Sequence, residues 1–162
     1  MGEVRVIKIN ERIFADNEST AEKLRGQLKE QGTFFVNVMS APGSGKTTFL
    51  TALINAMKEQ YRIGEMDVDI ETSLDAQKVA DLTGVESLQI HNGGLCHIDA
   101  DMVSRALTEY DTRNLDLLIL ENIGNLVCPA EFDTGAHKHI MLLSVPEGDD
   151  KPLKYPLMFK TC

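Results

Sequence analysis

A glycine-rich loop at residues 40–48 constrains the fold of this chain more than any other stretch. Its sequence, SAPGSGKTT, fits the phosphate-loop pattern Gly-x-x-x-x-Gly-Lys-Ser/Thr except at the first position, where Ser40 replaces glycine. An apolar run at residues 34–39 precedes the loop, and a helix-like run at residues 48–58 follows it. Because a strand, a glycine loop and a helix are the context in which this motif works, the sequence predicts a phosphate site here.

The residue types of the loop suit the outer phosphates of a nucleotide. Successive backbone N–H groups can form an anion nest, and the following helix adds partial positive charge at its N-terminus. Lys46 can reach the outer phosphates, and the Thr47 hydroxyl can bind Mg²⁺. The alternative is a glycine-rich turn with an incidental lysine. The predicted phosphate-binding residues are Gly43, Ser44, Gly45, Lys46, Thr47 and Thr48.

Composition limits the remaining choices. The chain has 162 residues and a formal net charge of −9, which argues against nucleic acid and anionic membranes as partners. It has three cysteines, and this odd number does not suggest a disulfide framework. No apolar run is long enough to cross a bilayer, and no signal peptide is recognisable. We therefore expect a cytoplasmic protein.

Strand-like and helix-like stretches alternate along the chain. This pattern predicts an α/β fold of the P-loop NTPase type, with a mostly parallel sheet covered by helices on both faces. A first segment, residues 4–9, is a short strand or an extended arm, and Ser19 with Glu22 predicts the start of a helix. Polar clusters follow the apolar runs, and carboxyl ends of parallel strands share one rim. The clusters predicted to share this rim are 43–48, 67–69, 91–97, 121–124 and 146–151.

Carboxylates surround the predicted phosphate site. Glu121 ends the apolar run 115–120, where the acidic residue of a Walker B motif belongs, and Gly124 can supply a backbone N–H to a γ-phosphate. Asp69 and Asp75 flank a polar loop that could close over a nucleotide, whereas Asp67 is interpreted as structural. The alternative is that these acids only solvate loops. The predicted magnesium ligands are Thr47, Asp69 and Glu121, and the predicted catalytic residues are Lys46, Asp69, Asp75 and Glu121.

Cys96, His97 and Cys128 are candidate ligands for Ni²⁺ or Zn²⁺, because thiolate and imidazole suit these ions better than Mg²⁺. A metal shared by two chains would satisfy the ion more fully, and twofold symmetry would make such a site natural. Spacing alone favours the alternative of two buried cysteines and a surface histidine. Cys162 is interpreted as incidental.

Guanine recognition cannot be deduced from these residues. GTPases read the base with Asn/Thr-Lys-x-Asp, and that tetrapeptide does not occur. Residues 148–156 have the right residue types in another order.

Taken together, these motifs resemble the HypB family, GTPases that help insert nickel into [NiFe]-hydrogenase. The resemblance implies Mg²⁺-dependent GTP hydrolysis, a GTP-dependent homodimer, and a Ni²⁺ or Zn²⁺ site made by Cys96, His97 and Cys128 at its interface. It also implies a nickel-delivery partner protein and the hydrogenase large subunit as partners. The matching stretches are 40–48, Asp69 with 75–76, 96–100, 121–129 and 144–156.

The resemblance also shapes the expected domain organisation. Residues 1–33 would be an N-terminal arm and helix, and residues 34–162 a GTPase domain truncated before the guanine-specificity motif. Asp101 stands where some relatives have a further histidine, which leaves its role in coordination open. Two alternatives are a urease-type nickel accessory GTPase and a metal-binding module that does not hydrolyse nucleotide.

Overall fold

The computed structural model describes residues 4–8, 17–70 and 72–162, with the side chains of residues 6–8 also outside the description. Its centre is a sheet of six strands in the order β1-β4-β3-β5-β2-β6, and every neighbouring pair is parallel. The strands are β1 (Val4–Lys8), β2 (Phe34–Ser40), β3 (Ile63–Val68), β4 (Ser87–His91), β5 (Leu117–Gly124) and β6 (Lys138–Leu142).

Helices connect these strands and close the carboxyl edge of the sheet. A 3₁₀ turn at Val145–Glu147 follows β6. The helices are α1 (Asn17–Gln31), α2 (Lys46–Met57), α3 (Leu74–Thr83), α4 (Ala100–Ala106), α5 (Cys128–Glu131), α6 (Lys151–Lys154) and α7 (Pro156–Thr161).

Apolar side chains cover both faces of the sheet. On one face, Leu24 and Leu28 of α1 pack with Met102 of α4 against the central strands. On the other face, Leu50 and Ile54 of α2 belong to a second apolar cluster that includes residues of α3, β2 and β5. The predicted α/β fold with helices on both faces is therefore confirmed.

The structure differs from the sequence prediction at several element boundaries; helix α2, for example, begins at Lys46 instead of residue 48. Two further differences have a physical reason. Helix α1 begins at Asn17, two residues before the predicted cap at Ser19, because the Asn17 side chain is held between Asp133 O and Ala100 N. Strand β5 continues through Gly124 instead of ending at Leu120. The reason is pairing, since β5 hydrogen-bonds to β3 and β2 on its two sides as far as Glu121 and Gly124 respectively.

Within the described residues, every helix is too short or too polar to cross a bilayer.

Candidate functional site

The glycine loop joins β2 directly to α2, as its sequence predicts. Gly43 and Gly45 have φ values of +72° and +96°, a left-handed conformation that other residues rarely adopt. A Cβ atom at either position would meet no atom within 4 Å, so glycine is needed here for backbone conformation and not for space. Gly45 caps the N-terminus of α2, which leaves the first backbone N–H groups of this helix facing the loop.

Ser40 has a defined role at the position where the strict pattern has glycine. Its side chain is buried, and its hydroxyl accepts a hydrogen bond from Lys46 Nζ at 3.1 Å. The same hydroxyl donates to Ala41 O at 2.8 Å. Ser40 therefore holds the Lys46 ammonium inside the loop, so the departure from the pattern adds a contact to the lysine.

A cavity of about 220 Å³ opens beside the loop, between the carboxyl ends of β3 and β5. It brings together residues that lie far apart in sequence, and most of the predicted phosphate and magnesium residues are among them. Four predicted residues of the loop and the first turn of α2 do not line the cavity: Ser44, Gly45, Thr47 and Thr48. The cavity is lined by Pro42, Gly43, Lys46, Asp67, Val68, Asp69, Ile70, Asp75, Glu121, Asn122, Ile123 and Gly124.

A second, larger cavity of about 420 Å³ lies near the amino ends of the strands, and its charged side chains are already paired with each other or with neighbours. Arg113 and Arg5 line it, but Arg113 is paired with Asp111 at 2.7 Å and Arg5 with Glu86 at 3.5 Å. Its charged groups thus already have partners, and the smaller cavity beside the glycine loop is the better candidate site.

Glu121 lies in β5 with its side chain turned towards the loop. The Thr47 hydroxyl donates to Glu121 Oε1 at 2.7 Å, while Oε2 is buried and has no hydrogen-bond partner among the described residues. Burial raises the pKa of Glu121 to about 7, and the hydrogen bond from Thr47 opposes this rise. A hydroxyl and a carboxylate in contact, with one carboxylate oxygen unsatisfied, are hard oxygen ligands that fit Mg²⁺.

Asp67 and Glu65 extend this acidic group into the sheet. Asp67 lines the cavity and is only 3% exposed, and burial raises its pKa to about 8. Glu65 is completely buried, and its pKa is also raised well above the ordinary value by burial. One ligand oxygen from each of Glu65, Asp67 and Glu121 lies within 4.8 Å of the other two. The sequence analysis interpreted Asp67 as structural and did not consider Glu65.

Asp69 and Asp75 lie at the mouth of the cavity, on either side of the predicted switch loop. Both side chains are half-buried, and Asp69 accepts a hydrogen bond from the Thr72 hydroxyl at 3.0 Å. Asp75 occupies the first turn of α3. The structure therefore places all four acids of this group, Asp67, Asp69, Asp75 and Glu121, around one cavity.

The two thiols of the candidate metal centre meet in a single chain. Cys96 Sγ and Cys128 Sγ are 2.8 Å apart, and Cys96 Sγ is 3.8 Å from His97 Nδ1. Cys96 is exposed and Cys128 half-buried, whereas His97 is 3% exposed with its ring stacked on Phe132 at 3.7 Å between centroids. This is the reverse of the alternative in which the cysteines are buried and the histidine is exposed.

The loop that carries Cys96 is fixed by its own polar groups. The Asn92 side-chain amide donates to Leu95 O at 2.9 Å and to His97 O at 2.7 Å. Asp99 caps α4 through Met102 N, and Asp101 in the first turn pairs with Arg105 at 2.9 Å. The Asp101 carboxylate is therefore already engaged by Arg105.

A short segment of chain connects the phosphate loop to the thiols. Gly124 packs so closely on Pro42 that an added Cβ would lie 2.8 Å from Pro42 Cα. The next residue, Asn125, donates its backbone N–H to Ser40 O at 2.9 Å and its side-chain amide to Cys96 O at 3.4 Å. Residues 124–128 thus contact the phosphate loop at one end and the thiol pair at the other.

Comparison with known proteins gives the family. The family model described as CobW/HypB/UreG, nucleotide-binding domain, matches residues 34–144. The crystal structure of HypB from Helicobacter pylori in complex with nickel superposes with a TM-score of 0.82 and 39% identity, covering 91% of this chain and 69% of that one. The chain belongs to the HypB family.

Curated relatives of this HypB-family chain agree. The hydrogenase/urease maturation factor HypB of Helicobacter hepaticus is 45% identical over 157 residues, covering 94% of this chain and 64% of the relative. The hydrogenase maturation factor HypB of Rhizobium leguminosarum bv. viciae is 42% identical over 159 residues, covering 98% of this chain and 53% of the relative. The chain therefore spans about half to two thirds of the length of these curated relatives.

Proposed function

We propose that this chain is the GTPase part of a cytoplasmic nickel metallochaperone, which hydrolyses GTP with Mg²⁺ and couples the nucleotide state to nickel insertion in [NiFe]-hydrogenase maturation. One observation carries the proposal. The phosphate loop and the thiol pair, two sites of different chemistry, are connected through residues 124–128. A change at a γ-phosphate would therefore have to travel only four residues to reach a metal ligand.

At the nucleotide site, the residues divide into three roles. The loop backbone from Gly43 to Thr48 binds the phosphates, and Lys46, held by Ser40, neutralises the outer ones. Thr47, Asp69 and Glu121 would hold Mg²⁺, which when bound supplies charge neutralisation on the β- and γ-phosphates. Gly124 offers its N–H to the γ-phosphate, and Asp75 acts as a switch residue at the start of α3.

At the metal site, nickel is the cargo. The ligands are Cys96, His97 and Cys128. Their sulfur and nitrogen atoms suit Ni²⁺ or Zn²⁺. The buried His97 contributes through a ring that Phe132 holds in place. One chain supplies three ligands, so a GTP-dependent homodimer, with the two sets facing each other, completes the coordination. The Helicobacter pylori HypB structure, which is a nickel complex, supports this choice of ion.

Domain organisation and partners complete the proposal. Residues 34–162 form the GTPase domain, and residues 1–33 contribute the edge strand β1 and the helix α1, which packs on it. The metal passes between a nickel-delivery partner protein and the hydrogenase large subunit. The name of the Helicobacter hepaticus relative includes urease as well, so a urease recipient is the second candidate.

The test is nickel affinity measured with GDP and with a non-hydrolysable GTP analogue, for the parent and for Cys128→Ala. We expect the two nucleotides to give different nickel affinities in the parent and equal, weaker ones in the variant. Cys162→Ala, at the third cysteine, is the matched control and should behave as the parent. Equal nickel affinities with both nucleotides in the parent would show that the two sites are not coupled.

Hydrolysis is tested separately. Single-turnover reactions with GTP and with ATP should show cleavage of GTP that Lys46→Ala abolishes. If the chain binds nickel but cleaves neither nucleotide, it is a metal-binding module without GTPase activity.

A further inference from the structure

Beneath the nucleotide cavity, three acidic side chains meet on the face of the sheet that α2 and α3 cover. Asp67 and Glu121 are direct neighbours on β3 and β5, and Glu65 lies two residues before Asp67, so its side chain is on the same face. The three carboxylates offer ligand oxygens that all lie within 4.8 Å of one another. Only Glu121 and Asp67 reach the cavity wall, whereas Glu65 lies deeper.

These carboxylates are buried and incompletely satisfied. Glu65 is 0% exposed, and Asp67 and Glu121 are each 3% exposed. Each keeps one oxygen without a hydrogen-bond partner among the described residues: Glu65 Oε1, Asp67 Oδ2 and Glu121 Oε2. Buried polar groups are normally paired, because each unpaired one costs about 1–3 kcal/mol. Three such oxygens at one point therefore require an explanation.

Neighbouring side chains do not supply the missing positive charge. The Ser87 hydroxyl donates to Glu65 Oε2, and the Gln89 side-chain amide donates to the Asp67 backbone carbonyl at 3.2 Å and also favours the charged form of the Asp67 carboxylate, but both donors are neutral groups. Lys46, the cation of the phosphate loop, donates to Ser40, and together with Lys78 it attracts Glu121 without forming an ion pair with it. Within residues 17–70 and 72–162, no salt bridge reaches any of the three acids.

We propose that Glu65, Asp67 and Glu121 form an inner binding site for a hard divalent cation, Mg²⁺ or Mn²⁺, in addition to the magnesium position at Thr47. An ion with oxygen ligands at 2.0–2.6 Å spans oxygens about 3–5 Å apart, which is the spread of this cluster. Glu121 serves both positions, since Oε1 contacts Thr47 and Oε2 remains available. The inner ion keeps Glu121 charged and fixed for the outer one, and its binding does not depend on GTP hydrolysis.

The test is Mn²⁺ binding to the full chain without nucleotide, followed by the electron paramagnetic resonance signal of free Mn²⁺. We expect one Mn²⁺ per chain, with affinity at least tenfold weaker in Glu65→Gln and in Asp67→Asn. Ser87→Ala, which removes a neutral donor and no carboxylate, is the control and should retain binding. With GDP added, the parent should bind two Mn²⁺ per chain and Glu65→Gln one.

Thermal unfolding of the same samples provides a second measurement that also reports on folding. Mn²⁺ should raise the unfolding midpoint of the parent and of Ser87→Ala, and leave that of Glu65→Gln unchanged. The inference is wrong if the parent binds no Mn²⁺ without nucleotide, or if Glu65→Gln and Asp67→Asn both bind as the parent does. Because no nucleotide is cleaved in these assays, a failure of the proposed GTPase activity would leave their result unaffected.

Discussion

Replacing Gly124 with alanine tests how the end of β5 supports the phosphate loop. An added Cβ would lie 2.8 Å from Pro42 Cα, 3.0 Å from Pro42 N and 3.1 Å from Pro42 Cγ. Ordinary carbon contacts begin near 3.5 Å, so one of the two segments must move by several tenths of an ångström. Two of the three atoms belong to the backbone of Pro42, which cannot swing away as a side chain can.

The loop is the segment that can move, because it is exposed at Pro42 and Gly43 whereas β5 is paired on both sides. Overpacking of this kind costs about 1–3 kcal/mol. If the displaced loop must return to bind phosphates, this cost appears in nucleotide affinity as a loss of roughly 5- to 150-fold. Thermal stability should change less, since the loop can relax in the free protein.

The measurement is the affinity of Gly124→Ala for GDP and for a GTP analogue by titration calorimetry. We expect both to weaken by a similar factor, because the loop holds the phosphates that the two nucleotides share. Adding Pro42→Gly removes only Cγ from the contact and should restore part of the loss. Gly26→Ala is the control, since a Cβ at that position in α1 meets nothing within 4 Å. It should bind nucleotide as the parent does and unfold at the same or a higher temperature.

The reasoning fails if GDP binds Gly124→Ala as tightly as it binds the parent while only the GTP analogue is weakened. That pattern would mean that Gly124 acts through a γ-phosphate contact alone and that its packing on Pro42 is unimportant.

Three further predictions follow from contacts outside the loop. Asn125→Ala removes the side-chain hydrogen bond to Cys96 O. It should leave GDP affinity within about twofold of the parent but reduce the difference in nickel affinity between the GDP and GTP-analogue states. An unchanged difference in titration calorimetry would contradict this prediction. Oxidation with diamide should form a disulfide between Cys96 and Cys128, whose sulfurs are 2.8 Å apart, with the loss of two thiols per chain. Bound Ni²⁺ should slow this oxidation. A thiol count that does not change would refute the prediction. Burial lowers the pKa of His139 below 6.5, so folding disfavours its protonated form, and the contribution of this residue to the unfolding free energy should fall as the pH drops from about 7 to 5. This contribution is opposite in sign to that of the buried acids Asp67 and Glu121, whose pKa values are raised. In urea denaturation, His139→Gln should therefore gain stability relative to the parent as the pH drops over this range, and a constant difference between the two proteins would show that His139 does not contribute.

Local signals in the sequence predicted much of the fold. Glycine favours the end of a helix, and α3 ends at Thr83 because Gly84 adopts φ +75° and closes the last turn through Ala80 O. An Asn-Gly-Gly sequence favours a turn, and strand β4 ends at His91, directly before the one at residues 92–94. The order of strands in the sheet was not predictable, because it depends on which apolar faces pack together over long separations.

The candidate site was less predictable than the loop beside it. Glu65 and Asp67 alternate in a short strand, which normally indicates one polar, solvent-facing side, yet that side is buried under α2 and α3. The alternation of Glu65 and Asp67 can be read from the sequence, and so can Glu121 at the end of another apolar run. Only the pairing of β3 with β5 shows that the three acids meet. His97 is a similar case, since nothing local predicts that Phe132 would bury it.

The short helix α5 has a consequence for the rate of metal exchange. Cys128 is its first residue, and Phe132, directly after its last, carries the ring that stacks on His97. Any displacement of this helix therefore moves the Cys128 sulfur and loosens the His97 ring at the same moment, and under the proposed function both are metal ligands. A bound ion would lose two donors in one step instead of one after the other, so release would be concerted, and intermediates with a single broken bond would be short-lived. Stopped-flow transfer of nickel to a chelator should then follow a single exponential.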